Sequence, residues 1–426
     1  MGAESMQIAI IGLGYVGLPL AVEFSKHYLV VGFDISAQRI SELKTGYDFT
    51  KEVSDGALKS AVDSTLTLTS EEAKLTGSDI FIITVPTPVD RNNNPDFSPL
   101  IDASELVGRH LNKGTYVIYE STVYPGATEQ ICVPILEAFS GMIFNTDFYV
   151  GYSPERVNPG DKVNTLTTIK KVTSGSTKEA AKFIDDIYQS IITAGTHMAE
   201  SIKVAEAAKV IENTQRDVNI AFTNEVAKIC NLLDINTQQV LAAAGTKWNF
   251  LKFNPGLVGG HCIGVDPYYL VHKAQQHGYS PNVLLQSRLV NESMGGFIAD
   301  EVVKLMCKNG VEVVKSKVLV LGFTFKEDCP DLRNTKIVDI VYGLKEYHCQ
   351  VDIVDPWVDP NEARSEYNLE ISQTITGKDY SAVVIAVGHS EFKSLDAASL
   401  RQRIISRGII YDVKGLYKSN EVEGQL

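Results

Sequence analysis

The 426-residue sequence contains few cysteines, and none has a spacing typical of a zinc site or a disulfide-rich domain. The six thiols are Cys132, Cys230, Cys262, Cys307, Cys329 and Cys349. They form no C-x-x-C pair, and no histidine follows at a zinc-finger distance. Scattered thiols in a chain this long are typical of a reducing compartment. We therefore expect a cytoplasmic protein without a metal.

Positive charge is also scarce, with 39 lysines and arginines against 52 acidic residues and a net charge of −13. A field of this sign repels phosphate backbones, so we expect no nucleic-acid partner. The most apolar stretch, Ile8–Phe24, is short and is broken by three glycines and a proline. It therefore predicts neither a membrane span nor a signal peptide. The length favours two to three globular domains.

Short runs rich in valine and isoleucine alternate with helical patterns at both ends of the chain, which predicts an α/β protein with parallel sheets. Several runs are apolar at consecutive positions, as in strands that are covered on both faces. The predicted strands of the first part are Gln7–Ile11, Leu29–Asp34, Asp79–Val85, Thr115–Ser121 and Phe148–Tyr152. Those of the last part are Lys317–Phe323, Gln350–Asp355, Ala382–Val387 and Gly408–Asp412.

The middle of the chain is helical by pattern. From Ala199 to Leu233 there is no glycine or proline, and apolar residues recur at three- and four-residue spacings. This predicts one long helix, and a further helical pattern covers Asn282–Lys308. A helix of this length often bridges domains or forms a subunit interface.

A glycine pattern directly follows the first predicted strand: Gly12-Leu-Gly14-Tyr-Val-Gly17. Such a turn lets the backbone approach a pyrophosphate at the start of a helix. Asp34, at the end of the next strand, is placed to bind a ribose 2′-hydroxyl and to repel a 2′-phosphate, which favours NAD over NADP. Arg39 lies nearby and leaves that preference open. The alternative is a glycine-rich turn without a ligand.

Two further turns follow predicted strands of the same sheet. They are Val85-Pro86-Thr87-Pro88 and Glu120-Ser121-Thr122. Because ligands of open α/β sheets bind beyond the carboxyl ends of the strands, both turns are expected to line the cofactor cleft. The alternative for each is an ordinary turn stiffened by proline, without a ligand.

The segment from Phe253 to Pro267 places Cys262 among glycines, including Gly256 and Gly259. Dense glycine lets the backbone pass close to a ligand, and a thiolate is a good nucleophile. Asp266 lies on the same side as the thiol if a helical turn begins there. The alternative is an inert core cysteine. A Cys–His pair or a metal site with His261 is disfavoured, because adjacent side chains diverge.

Lys209 and Asn213 are one helical turn apart on the predicted long helix. On a buried helix such a pair suggests an oxyanion site; on a solvated face it needs no explanation. Two loops past strand ends, residues 153–160 and 322–335, add fixed charges. Each is either part of a cleft or a structural ion pair.

Together these motifs resemble the nucleotide-sugar 6-dehydrogenases, which oxidise UDP-glucose, UDP-N-acetylhexosamines or UDP-N-acetylmannosamine. The resemblance runs from about Met6 to Lys414. It implies two Rossmann-like α/β domains with mostly parallel sheets, joined by a long central helix. The implied parts are an NAD-binding domain at residues 1–198, a helical linker and dimerisation region at 199–310, and a UDP-sugar-binding domain at 311–426.

The resemblance also implies roles for individual residues. It makes Cys262 the catalytic thiol, Lys209 and Asn213 the oxyanion donors, and Asp266 an acid/base partner, while Thr122 and Glu155 assist water activation. The implied cofactor contacts are Gly12, Gly14, Tyr15, Val16, Gly17, Asp34, Arg39, Pro86, Thr87, Thr122 and Arg333. The implied substrate contacts are Glu155, Arg156, Val157, Lys209, Asn213, Phe253, Gly256, Gly259, Phe325 and Lys326.

The implied reaction is a four-electron oxidation of the sugar C6 hydroxyl to a carboxylate, with two NAD reduced and a thiohemiacetal and thioester formed on Cys262. The Ser-Pro-Glu155-Arg156-Val-Asn158 segment lacks the second glutamate of UDP-glucose members and looks like the N-acetylhexosamine branch. We therefore expect UDP-GlcNAc or UDP-GalNAc as substrate, a homodimer, and a role in capsule or surface polysaccharide synthesis. The alternatives are a UDP-glucose or UDP-ManNAc enzyme, a two-electron sugar-acid dehydrogenase, and a non-catalytic binding protein.

Overall fold

The computed structural model describes residues 6–90, 92–158, 161, 163–260 and 263–426. Contacts divide the chain into two compact units, each made of two segments. The first unit is Met1–Glu212 with Tyr268–Tyr279, and the second is Asn213–Pro267 with Ser280–Leu426. The division into three parts at residues 198 and 310 stays a prediction.

The first unit is built on a parallel sheet in the order β3-β2-β1-β4-β5-β6. Its strands are β1 Gln7–Ile11, β2 Leu29–Phe33, β3 Leu66–Thr69, β4 Ile80–Ile83, β5 Thr115–Tyr119 and β6 Phe148–Tyr152. Its helices are α1 Gly17–Phe24, α2 Ala37–Lys44, α3 Asp55–Val62, α4 Ser98–His110, α5 Val133–Ser140 and α6 Lys178–Gln189. A small parallel pair, β7 Lys171–Thr173 and β8 Thr196–Met198, adds to this unit. This strand order is that of a dinucleotide-binding Rossmann sheet.

The second unit repeats the order with its own strands, β11-β10-β9-β12-β13-β14, all parallel. The strands are β9 Lys317–Leu321, β10 Gln350–Val354, β11 Ile371–Ser372, β12 Tyr380–Ile385, β13 Ile404–Asp412 and β14 Gly424–Gln425. The helices around it are α12 Ile337–Glu346, α13 Pro360–Tyr367, α14 Ser390–Lys393 and α15 Ala397–Arg401. The predicted fold of two Rossmann-like α/β parts with parallel sheets is confirmed.

The middle of the chain is helical, as predicted. The long helix α7 covers Ile202–Leu232 and is followed by α8 Thr237–Ala244, α9 Asp266–Gln276, α10 Asn282–Glu292 and α11 Met294–Lys308. The helical pattern from Asn282 to Lys308 is therefore two helices that meet at Ser293. In the described part of the chain, no helix has the length and apolar character needed to cross a bilayer.

Candidate active site

The glycine turn after β1 has the geometry of a phosphate-binding turn. Gly12 has a φ of +94°, which favours glycine. A Cβ on Gly17 would overlap the carbonyl oxygen of Gly12 and the hydroxyl of Thr84, so only glycine fits there. A Cβ on Gly14 would meet no described atom within 4 Å, which leaves open space beside the turn. The turn between Gly12 and the start of α1 therefore fits a dinucleotide pyrophosphate.

Asp34 and Arg39 flank this turn in different ways. The Asp34 carboxylate follows β2 and accepts hydrogen bonds from the backbone N–H groups of Leu13 and Ser36, each at 2.9 Å. The buried Arg39 guanidinium donates to the Leu13 carbonyl at 3.0 Å and to Asp48 at 2.7 Å. The ion pair with Asp48 therefore balances the charge of Arg39. A paired Arg39 is a weaker partner for a 2′-phosphate, which favours NAD over NADP.

The turns beyond β4 and β5 join the glycine turn through hydrogen bonds. The hydroxyl of Thr84 donates to the Gly12 carbonyl at 2.7 Å, and that of Ser121 donates to Val85 at 2.6 Å. The Tyr269 hydroxyl lies 3.0 Å from the carbonyl oxygens of both Thr87 and Pro88. The predicted cofactor turns with Pro86, Thr87 and Thr122 are therefore at one edge of the sheet.

Glu155 is the most constrained of the predicted site residues. Its Oε1 accepts hydrogen bonds from the backbone N–H groups of Arg156 and Val157, each at 2.6 Å. Its Oε2 lies 2.9 Å from the ammonium of Lys171, which also lies 2.7 Å from Oε2 of Glu120. Arg156 and Val157, both predicted to contact substrate, thus hold the Glu155 carboxylate through their backbone N–H groups.

The buried charges of this cluster shift the pKa values of its two carboxyl groups. Burial raises the pKa of Glu120 to about 7, and the ammonium of Lys171 only partly opposes it. Burial alone would also raise the pKa of Glu155, but Lys171 and the two backbone N–H groups outweigh it and leave that pKa below its usual value. Glu155 is therefore the stronger acid of the two carboxylates.

Lys209 lies on α7 with only 9% of its surface exposed, and Asn213 is similarly buried. The Lys209 ammonium donates to the backbone carbonyl of Glu155 at 2.8 Å. The alternative of a solvated helix face is therefore wrong for this pair. Arg156, predicted to contact substrate, forms an ion pair with Glu212 at 2.9 Å.

In the second unit, Asp266 is 1% exposed and begins α9, as the sequence analysis required. Its Oδ2 accepts a hydrogen bond from the Asn213 side-chain amide at 2.5 Å. Cys262 and His261 lie outside the described residues.

The glycine segment before them is held by α7 and by the loop after β9. The Asn224 side chain bonds both the N–H and the carbonyl of Gly256, at 2.7 and 3.0 Å. A Cβ on Gly259 would lie 2.9 Å from the Asn334 carbonyl oxygen and 3.1 Å from Cβ of Phe325. Phe325, predicted to bind substrate, thus packs against the glycine segment.

A cavity of about 660 Å³ opens in the second unit beyond the carboxyl ends of β12 and β13. Its lining includes Asn254, Glu327, Lys393, Lys414 and Tyr417. Asn254 and Glu327 immediately follow the predicted Phe253 and Lys326. In open α/β sheets this edge is where ligands bind.

Arg333, predicted to contact the cofactor, belongs to the same unit and forms a two-point ion pair with Asp331, at 2.9 and 2.6 Å.

Asp328, His389 and Glu391 converge closely enough to suggest a cation site. However, Nδ1 of His389 accepts the Asp328 N–H at 3.0 Å, and Nε2 pairs with Asp355 at 3.0 Å. Both nitrogens are therefore used within the protein, and this group does not fit a metal.

Several residues of these sites carry no sequence motif. Lys171 and Glu206 are buried charges, and Asn224 and Lys414 belong to no recognisable pattern. Burial raises the pKa of Glu206 to about 7, although the backbone N–H groups of Gly126 and Thr128 oppose it. The sequence signal that could have identified Glu206 is a glutamate at an apolar position of the long helical pattern.

Comparison with known proteins finds the same family along the chain. Residues 6–192, 203–293 and 319–419 match the NAD-binding, central and UDP-binding domains of the UDP-glucose/GDP-mannose dehydrogenase family. The chain is 55% identical over 425 residues to the UDP-N-acetyl-D-glucosamine 6-dehydrogenase of Salmonella typhi, covering 100% of both chains. It is 53% identical to the protein CapL of Staphylococcus aureus, covering 97% of each.

Among solved structures, the chain is similar to a UDP-D-ManNAc dehydrogenase from Pyrococcus horikoshii. The TM-score is 0.89 and the identity 32%, with 97% of this chain and 96% of that chain covered. The glycine turn after β1 lies in the matched NAD-binding domain, and NAD is the cofactor. The chain belongs to the UDP-glucose/GDP-mannose dehydrogenase family.

Proposed function

We propose that this protein oxidises the C6 hydroxyl of UDP-N-acetylglucosamine to a carboxylate, for capsule or surface polysaccharide synthesis. The observation that carries the proposal is the full-length 55% identity to a UDP-N-acetyl-D-glucosamine 6-dehydrogenase. The local geometry supports it, because Lys209, Asn213 and Asp266 are buried polar groups with defined partners.

Each step needs a group that the chain supplies. The glycine turn with Gly12, Gly14 and Gly17 would hold NAD, which would supply the hydride acceptor for each of the two oxidations. Asp266 takes a proton from the alcohol in the first step, a general-base role that suits an aspartate. The Cys262 thiolate then adds to the aldehyde, and the resulting thiohemiacetal is oxidised to a thioester. Water, assisted by Glu155 and Thr122, releases the acid.

Lys209 and Asn213 stabilise the negative charge of the tetrahedral species. Removing one such donor typically costs about a hundredfold or more in kcat. Their helix fixes their spacing, and burial strengthens their effect because little water screens them.

The side chain of Arg156, in the loop after Glu155, is held within the protein. Arg156 is held by Glu212 and by the Lys170 carbonyl at 2.8 Å. Its guanidinium therefore shapes the loop.

The decisive assay counts NADH formed per sugar. With limiting UDP-GlcNAc and excess NAD, we expect two NADH per sugar, measured by absorbance at completion. UDP-GalNAc, UDP-ManNAc and UDP-glucose are run in parallel, and we expect kcat/KM for UDP-glucose to be lower by about tenfold or more.

Other results would replace the proposal. One NADH per sugar would identify a two-electron dehydrogenase. Tight NAD binding without turnover on any UDP-sugar would identify a binding protein, and preference for UDP-glucose or UDP-ManNAc would move the assignment to that branch.

We further propose that the protein is a cytoplasmic homodimer. In the second unit, α7 exposes Phe222, Ile229 and Leu232, with 58% of Phe222 and 84% of Leu232 accessible. Residues at these spacings lie on one side of a helix. An apolar stripe on a surface helix is typical of a subunit interface.

Replacing Phe222 and Ile229 together by glutamate should break this dimer, because two carboxylates per chain would be buried at the contact. We expect the mass in solution, measured by light scattering, to fall from twice 46.7 kDa to that of one chain. Lys203→Glu, at an exposed position of the same helix, serves as control. An unchanged mass of the double variant would place the interface elsewhere.

A further inference from the structure

Lys171 is a buried lysine that has no part in the proposed reaction. Its side chain is 3% exposed and its ammonium lies between the carboxylates of Glu120 and Glu155. The Tyr188 hydroxyl donates to the other oxygen of Glu120, and the ammonium lies 5.4 Å from the Tyr188 ring centroid. Burying a cation is costly even when it is paired, and a well-packed apolar group often gives equal stability. Stability alone is therefore a weak reason for this lysine.

Glu155 connects Lys171 to the predicted oxyanion donor. Its carboxylate is held from one side by Lys171 and from the other by two backbone N–H groups. Its own carbonyl oxygen accepts the hydrogen bond from Lys209. The orientation of the Glu155 peptide thus determines where the Lys209 ammonium lies.

We propose that Lys171 is a positioning residue for the reaction: its ammonium, anchored by Glu120, keeps the Glu155 carboxylate ionised and in place, and through the Glu155 peptide it fixes Lys209. The inference rests on the proposed function, in which Glu155 assists water and Lys209 stabilises the oxyanion. It assigns to Lys171 a role that is exerted through Glu155.

The electrostatics of the cluster explain why a cation is needed. Burial would lower the pKa of Lys171, but the two carboxylates outweigh it and leave that pKa above its usual value. Without this cation, burial would dominate at Glu155 and favour its neutral, inactive form. The charged and titratable groups that face Glu155 are Glu120 from the end of β5, Lys171 from β7, Tyr188 from α6, Arg156 beside it, and Glu212 and Lys209 from α7.

The test is the pH profile of kcat for Lys171→Met with UDP-GlcNAc and NAD. Because Glu155 works as a carboxylate, activity falls as the pH drops through its pKa. Removing the cation raises that pKa, so we expect the acid limb to move upward by about one to three pH units. At pH 6 we expect kcat to fall by about tenfold or more, with KM for UDP-GlcNAc changed less than about threefold.

Three variants separate this role from general damage. Lys171→Arg keeps a cation and should return the acid limb toward that of the wild type. Glu120→Gln removes a carboxylate that repels Glu155, while its amide oxygen can still accept from Lys171, so the acid limb should not move upward. Lys182→Met makes the same substitution at an exposed ion pair with Asp186 and should change nothing.

If Lys171→Met fails to bind NAD, Lys171→Gln replaces it, because glutamine keeps a donor without the charge. An acid limb identical to that of the wild type, or an equal shift in Glu120→Gln, would overturn the positioning role. If the wild-type protein does not oxidise UDP-GlcNAc at all, the proposed function fails and this inference fails with it. The first failure leaves the proposed function intact, so the two are distinguishable.

Discussion

Replacing Cys262 by serine should abolish acid formation while NAD and the UDP-sugar still bind. A serine hydroxyl is a far weaker nucleophile than a thiolate, so neither the thiohemiacetal nor the thioester forms. We expect the rate of acid formation to fall by about a thousandfold or more, since a nucleophile acts as a unit with its neighbours. The measurement is NADH and acid per UDP-GlcNAc, together with calorimetric affinities for NAD and UDP-GlcNAc.

Cys307→Ser is the matched control, because Cys307 is an exposed thiol on α11. We expect this variant to keep full activity. Full acid production by Cys262→Ser would show that the second oxidation proceeds without a covalent intermediate, and the proposed mechanism would be wrong.

Replacing Gly17 by alanine should have the second large effect, on folding and on NAD together. The added methyl would overlap the Gly12 carbonyl and the Thr84 hydroxyl, so β1, β4 and the turn have to move apart. We expect the free energy of unfolding to fall by about 3 kcal/mol, at the upper end for overpacking. NAD affinity should fall by at least about tenfold, because the turn no longer holds its shape.

Two alanine variants serve as controls, measured by urea unfolding and NAD titration. Gly56→Ala lies in α3 with open space around the new methyl, and it should stabilise the protein by about 0.5 kcal/mol. Gly14→Ala also meets no described atom, so we expect unchanged stability and weaker NAD binding. A Gly17→Ala variant as stable as the wild type would contradict the steric argument.

The parts of the structure that the sequence predicts well have strong local signals. β1 and α1 are predictable because an apolar run meets a glycine turn. The long helix α7 is equally clear because no glycine or proline interrupts it. These signals depend on neighbours in the chain and need no tertiary contact.

The missed elements depend on contacts between distant residues. β3, with the sequence Leu-Thr-Leu-Thr, is short and half polar, and its pairing with β2 makes it a strand. Lys171 meets Glu120 across 51 positions of sequence, and Asn224 meets Gly256 across 32. A single lysine or asparagine in the sequence does not indicate which distant residue it will contact. Only the folded chain brings them together.

The first unit takes its last segment, Tyr268–Tyr279, from far along the chain. On the ribosome, the N-terminal sheet can therefore form early, but the turn beyond β4 must wait for Tyr269 to emerge. Until then the backbone carbonyls of Thr87 and Pro88 lack the hydroxyl that they contact in the finished protein. A fragment that ends after the N-terminal sheet would lack this contact permanently. A biosensor built on the NAD-binding part should therefore also include the segment Tyr268–Tyr279.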